Sequence, residues 1–238
     1  MAAGGIPRSS GLTANVIALP DLEVNLRWWL IQECISNAET RGRLRSAWGL
    51  CARHATALLA VGGAYRHAWI HAGTILYLDL IEHGIQAVTV GGPFSDERAI
   101  RNLRATAPCP MCELAVDEAG GGAPSAELLG RGDTLLEAFA REAQSVSRPL
   151  VCRLCSTEAD GPLCRPHLIA DHSFDLAEEL MVQRGRLGYI ARHLIRYARS
   201  FRREALDIAS PEDRASLIEA VGWCSGWSGV LAIIGGQR

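Results

Sequence analysis

The sequence predicts an all-α protein, an irregular multi-helix bundle with pseudo-repeated halves. Three observations predict it. Apolar residues recur every three or four positions along most of the chain. Helix-start signals such as Ser210-Pro211-Glu212-Asp213 punctuate it. Only Ala87 to Pro93 reads as strand-like, and Gly91-Gly92-Pro93 ends that piece at once.

The elements follow in order. Met1 to Thr13 is small, polar and Gly-rich, a tail without the apolar run of a signal peptide. From Asp21 to Arg41, Leu22, Leu26, Trp29 and Leu30 form an apolar stripe that continues to Cys34. A second helix carries Leu44, Trp48, Cys51, Ala55 and Leu58 at helical spacing. A third, from about Tyr65 to Ile85, is apolar on most sides, with Trp69, Leu76 and Leu80 in one row, and is expected at the centre. Ser95 reads as the N-cap of a short helix to Thr106, with Asp96 and Glu97 in its first turn. Gly120-Gly121-Gly122-Ala123-Pro124 is loop by composition, and Asp133 caps a helix through Ala143. A long helical region runs from near Pro166 to about Leu206, with a break expected around Gly185 to Gly188. The apolar stretch Val221 to Gly236 is shorter than the roughly 20 residues that span a bilayer, so it reads as a packed terminal helix and no membrane is expected. The expected organisation is a tail over 1–13, an N-terminal helical module over 14–105, and a Cys-rich loop with a C-terminal helical module over 106–238, packed as one unit.

Composition narrows the chemistry. The 238 residues are 48% apolar and 21% charged, with net charge −2, the profile of an ordinary globular protein with material for a core. All 24 basic residues are arginine. Without lysine there is no amine for a Schiff base and no P-loop lysine for a nucleotide. No Ser-His-Asp triad or Gly-rich phosphate loop emerges either. Eight cysteines in a chain without a secretion signal point to a reducing, cytoplasmic setting, where metal binding outranks disulfides.

The cysteines are patterned. Leu50-Cys51-Ala52-Arg53-His54 and Leu163-Cys164-Arg165-Pro166-His167 are both L-C-x-x-H units. A thiolate and an imidazole three residues apart on a helix project from one face and can grip one ion. Cys109-Pro110-Met111-Cys112 and Cys152-Arg153-Leu154-Cys155 are C-x-x-C knuckles. Cys152, Cys155, Cys164 and His167 together match a compact Cys3His zinc site. An iron–sulfur cluster fits less well because the usual run of closely spaced cysteines is absent, and covalent haem is disfavoured because neither knuckle is followed by histidine. Two zinc ions are therefore expected.

The first L-C-x-x-H unit has two possible groupings. Cys51 and His54 with Cys109 and Cys112 would make a second closed site. Alternatively, Glu33-Cys34-Ile35-Ser36-Asn37 stands upstream of the first unit as the Cys109 knuckle stands upstream of the second. Cys34, Cys51 and His54 would then leave one position open, as in a catalytic zinc site. The packing reading of Cys34 is preferred, since Leu26 and Leu30 already point its way. His67 and His71 are four apart but lack H-E-x-x-H context, and Trp28 and Trp29 suit core packing.

Between Gln183 and Arg203 lie Arg184, Arg186, Arg192, Arg196, Arg199, Arg202 and Arg203, with no acidic residue. Arg192, Arg196, Arg199 and Arg203 share one helical face, while Ile190, Leu194, Tyr197 and Phe201 share another. Such a helix could meet an acidic partner or nucleic acid, or be a solvated face beside Asp175, Glu178 and Glu179.

The L-C-x-x-H and C-P-x-C motifs, with Ile75-Leu76-Tyr77-Leu78-Asp79-Leu80-Ile81 and the Arg196 to Glu204 segment before an apolar terminal helix, resemble an uncharacterised bacterial family of helical proteins. The resemblance covers most of the chain from Trp28 onward. It implies cysteine and histidine ligands, carried here by Cys109, Cys112, Cys164 and His167, with Cys51 and His54 in the other module. The chain departs from that pattern at Asn37 and adds Cys152 and Cys155. The resemblance lends no activity. The leading expectation is a protein with mainly structural zinc and a non-catalytic binding or regulatory role, its partner an unidentified protein or small molecule. A zinc enzyme of small-molecule metabolism and a zinc–thiol redox switch are the alternatives, so whether the chain is an enzyme stays open, with the balance towards no.

Overall fold

A computed structural model describes residues 37–63, 70–113, 146, 150–170, 174–202 and 209–234. The expectations for the tail, the stripe from Leu22 to Cys34, Trp28, Trp29, His67, Trp69, the Gly120 loop, the helix after Asp133 and Arg203 lie outside them. The described residues form nine packed helices with no strand: α1 Ala38–Ser46, α2 Ala52–Gly63, α3 Ile70–Val88, α4 Ser95–Asn102, α5 Pro110–Glu113, α6 Arg165–Ala170, α7 Leu176–Ser200, α8 Pro211–Ser225 and α9 Ser228–Ile234. The all-α expectation holds. None of these helices is long and apolar enough to cross a membrane.

Asn37 starts α1 rather than lying inside a helix to Arg41. Its side-chain oxygen accepts from the main-chain N–H groups of Glu39 (2.8 Å) and Thr40 (3.2 Å). The expected continuous helix from Leu44 to Leu58 is also broken. The Trp48 N–H donates to Arg45 O (3.0 Å) and the Gly49 N–H to Leu44 O (2.7 Å), the two hydrogen bonds of a Schellman ending. Trp48 and Gly49 take positive φ, 57° and 90°. For tryptophan that conformation is strained, and it persists because the indole is buried against His83, Trp223 and the Arg165 guanidinium. At Gly49 a Cβ would also meet Leu80 Cδ1 at 2.8 Å. The break re-aims the chain so that Cys51 opens α2.

Helix α3 consumes the first residues of the strand-like piece, because Ala87 and Val88 are buried on its core face. Phe94, with φ of 55°, then occupies the N-cap position of α4, and Ser95 stands one place inside it, with Asp96 and Glu97 in the first turn as expected. Helix α7 runs unbroken through Gly185 and Gly188. Both have open space where a Cβ would stand, and the packed face opposite them carries Leu180, Leu187, Ile190 and Leu194, which keeps the helix continuous through two poor helix formers. Its start is at Asp175, whose carboxylate caps the Glu178 N–H.

Helix α8 begins as the sequence indicates. Ser210 and Asp213 form a reciprocal capping box with Pro211 in the first turn. It is buried from Ala215 to Cys224 and packs against α2, α3, α6, α7 and α9, so it shares the central position expected of α3. Gly226, at φ 85°, ends it, and the terminal apolar stretch folds back as α9 instead of one helix. Trp227 then lies on Gly222, where an added Cβ would approach Cε2 to 2.4 Å.

Candidate metal centres

Each L-C-x-x-H unit is placed by a helix start. Cys51 precedes α2 and Cys164 precedes α6; their carbonyls accept the first-turn N–H groups of Ala55 and Leu168, both at 2.8 Å. The leucines before them, Leu50 and Leu163, are buried core anchors. One helical turn then brings Nδ1 of His54 to 3.3 Å from Cys51 Sγ, and Nδ1 of His167 to 3.3 Å from Cys164 Sγ.

The knuckles share one turn as well. The Cys112 and Glu113 N–H groups donate to Cys109 O at 2.9 and 3.3 Å; the Cys155 and Ser156 N–H groups donate to Cys152 O at the same two distances. The structure brings Cys51, His54, Cys109 and Cys112 into one cluster, and Cys152, Cys155, Cys164 and His167 into another, all donor atoms of each within 4.8 Å of one another. Each cluster joins one Cys-His unit and one knuckle, in opposite order: the first takes its Cys-His unit before its knuckle, the second after it, so the Cys109 knuckle does not serve the second unit as the repeat reading had it. Cys34, the ligand of the alternative grouping, lies outside the described residues. His71, the described member of the His67–His71 pair, is in neither cluster and stacks on Phe201, ring centroids 4.8 Å apart.

The spacings have the size a metal requires. Metal–sulfur bonds of about 2.3 Å and metal–nitrogen bonds of about 2.0–2.1 Å at tetrahedral angles give edges of about 3.8 Å between sulfurs and about 3.6 Å from sulfur to nitrogen. Here Cys51 and Cys112 sulfurs are 3.9 Å apart, and Cys155 and Cys164 sulfurs 3.7 Å. Sulfur-to-nitrogen separations run from 3.3 to 3.5 Å. None of the described cysteines is in a disulfide.

Crowding three sulfurs so closely also shows in their acidity. Loss of water around its sulfur, then the neighbouring Cys109 and Cys51, push the Cys112 thiol up to about 12, although the residue itself is exposed. In the second cluster Cys152 is held low, first by hydrogen bonds from Cys155 and Cys164, and further by the Cys164 and Leu154 main-chain N–H groups. Cys164 is pushed up by the other two sulfurs and by burial. Successive ionisation is thus opposed by the charge already present, and a cation among the sulfurs removes that opposition.

The second cluster is locked from outside by α7. Glu179, Gln183 and Arg186, spaced i, i+4 and i+7, lie on one face. Glu179 accepts from the Leu163 N–H (3.1 Å) and pairs with Arg153 (3.0 Å). Gln183 donates to Leu163 O (2.8 Å) and accepts from the Trp223 indole (2.7 Å). Arg186 donates to the carbonyls of Leu150 (2.5 Å), Pro162 (3.0 Å) and Leu163 (3.1 Å). Sequence reasoning placed Arg186 with the basic residues. The structure corrects that: it is buried beneath the loop, while Arg184, Arg192, Arg196, Arg199 and Arg202 are exposed. The signal was present, since Arg186 falls at helical spacing from Gln183 and Ile190 on the packed side. Arg165, beside Cys164, anchors the second cluster to the core. Its guanidinium donates to Cys224 O (2.9 Å) and Leu103 O (3.0 Å), at the ends of α8 and α4. On the first side, Ser225 Oγ donates to Leu50 O (2.7 Å).

These features define the class: a helical protein with, among the described residues, two Cys3His clusters, each able to hold a metal ion. Comparison with protein families, with curated proteins and with solved structures finds no match for the chain.

Proposed function

We propose that the chain is a cytoplasmic zinc protein in which two structural zinc ions pin loops and helix starts, and that its role is to bind another molecule rather than to catalyse. The observation that carries this reading is that each cluster offers four protein donors at tetrahedral spacing, which leaves no coordination position for a substrate. Zinc suits the donors: borderline-soft, without redox chemistry, and content with three thiolates and one imidazole. An open catalytic zinc at Cys34, Cys51 and His54 has less support, because Cys109 and Cys112 stand where water would bind.

The exposed Arg192, Arg196 and Arg199 of α7 make a positive row that suits an acidic protein segment; the net charge of −2 gives nucleic acid less support. The deciding experiment is metal analysis of protein purified without added metal. Two zinc ions per chain are expected. Protein that folds with no bound zinc refutes the reading.

A further inference from the structure

We propose that the two clusters divide the work: the first is a zinc–thiolate site that releases its ion on reaction with a hydroperoxide, with Cys112 as the attacking sulfur, and the second is permanent. This rests on the zinc reading above.

The asymmetry is in the environment, since the donor sets are the same. In the second cluster Cys152 and Cys164 are fully buried, at 0% exposure. Three α7 side chains hold the loop. In the first cluster Cys112 is exposed, and Cys51 and Cys109 are half-buried. The knuckle half of that cluster rides on α5, a helix of only four residues. Among the described residues its outer supports include three hydrogen bonds to Ser46 O, from the Thr106 N–H and Oγ1 and the Ala107 N–H, and the exposed Arg43–Glu113 pair. An oxidant in solution therefore meets Cys112 before any sulfur of the second cluster.

The reaction balances without a further reagent. The Cys112 thiolate attacks one peroxide oxygen, the O–O bond breaks, and a sulfenic acid and hydroxide result. The Cys51 thiolate, 3.9 Å away, attacks that sulfenic sulfur and expels a second hydroxide, closing a disulfide. Two thiolates are oxidised by two electrons, hydrogen peroxide is reduced, and both hydroxides take up protons to become water. Cys109 and His54 remain as two ligands, too few to retain zinc in competition with water. The cross-link then joins the start of α2 to α5 where the ion did.

The test uses the full chain, loaded with zinc, freed of reductant and exposed to a modest excess of hydrogen peroxide. Released zinc is read with a chromogenic chelator, and cysteines are mapped by alkylation and peptide mass spectrometry. The expected result is loss of about one zinc ion per chain, at least ~10-fold faster than the other, with a Cys51–Cys112 disulfide and unmodified Cys152, Cys155 and Cys164. Reductant plus zinc restores the original state. Retention of both ions, or release accompanied by oxidation in the second cluster, overturns the proposal. Absence of zinc before peroxide is added refutes the zinc reading itself, so the two failures are distinct. Cys112→Ser is expected to slow peroxide-driven release; if that variant never holds the first ion, the wild-type cysteine map decides alone.

Discussion

Removing Arg186 should loosen the second metal centre without touching a ligand. Its guanidinium serves the carbonyls of Leu150, Pro162 and Leu163, which frame the loop that carries Cys152 and Cys164. Hydrogen bonds from a charged donor contribute about 1.5–3 kcal/mol each, so the set contributes about 5–9 kcal/mol in gross terms. Against this stands the burial of a cation. Desolvation pushes the Arg186 pKa from 12.5 down to about 10. At about 1.4 kcal/mol for each tenfold, that corresponds to about 3 kcal/mol of lost solvation. The difference leaves Arg186→Met destabilising by about 2–6 kcal/mol, since methionine fills much of the volume but takes the Arg186 donor from Leu150 O and Pro162 O and leaves Leu163 O with Gln183 alone. Much of that loss should appear as weaker metal binding, about 10- to 100-fold at the second cluster alone. Arg186→Lys should fall between, because one ammonium cannot reach all three carbonyls in a fixed fork. The assay is metal loss to a chelator of graded strength, with thermal unfolding alongside. An Arg186→Met protein with unchanged unfolding and unchanged loss of both ions would refute the argument.

Other outcomes follow from single contacts. Burial favours the neutral form of Asp79, but hydrogen bonds from Arg45 and Arg41 and their charges outweigh it and hold its carboxyl below 3.8. The pairing therefore contributes above the unfolded pKa and is lost as pH falls through the lowered folded value. Asp79→Asn should cost about 1–2 kcal/mol at neutral pH in denaturant unfolding, with the gap to wild type closing below about pH 4. Gly222→Ala should lower stability by about 1–3 kcal/mol through its clash with Trp227, whereas Gly185→Ala, with open space around it, should raise stability by about 0.5–1 kcal/mol in thermal melts. Acidification from neutral pH should release metal with a dependence steeper than one proton per ion, read with an indicator dye, because thiolates and imidazole must all stay deprotonated to bind.

The metal donors were legible because chelation imposes spacing on sequence: C-x-x-C and C-x-x-H each fit within one turn, whatever the rest of the fold does. Their grouping was less so. The second cluster closes within its own neighbourhood, whereas pairing Cys51 with Cys112 depends on where α1 ends. That ending was hidden because Trp48 adopts a backbone conformation that its residue type disfavours, and tertiary burial of the indole outweighs local propensity. The same override carries α7 through Gly185 and Gly188, where propensity argued for a break. Capping was the reverse case: Ser210 and Asp213 satisfy each other locally, so the start of α8 could be read directly. Glu179, Gln183 and Arg186 were missed because polar residues on a packed face make sense only once the loop they serve is in place.

The permuted order of the two clusters has a consequence for how metal and folding depend on each other. Cys152 and His167 are 15 residues apart, so that segment can chelate as a peptide, and an unfolded chain keeps a competing grip on its ion. Cys51 and Cys112 are 61 apart, which adds about 1.2 kcal/mol of loop-closure cost in the open chain. An ion in the first cluster thus discriminates between native and denatured chain by about that much more than one in the second. Titrating a chelator against the melting temperature would therefore report more strongly on the first. Of two near-identical coordination spheres, one acts as a clasp on the finished fold and the other as a local staple laid down before it.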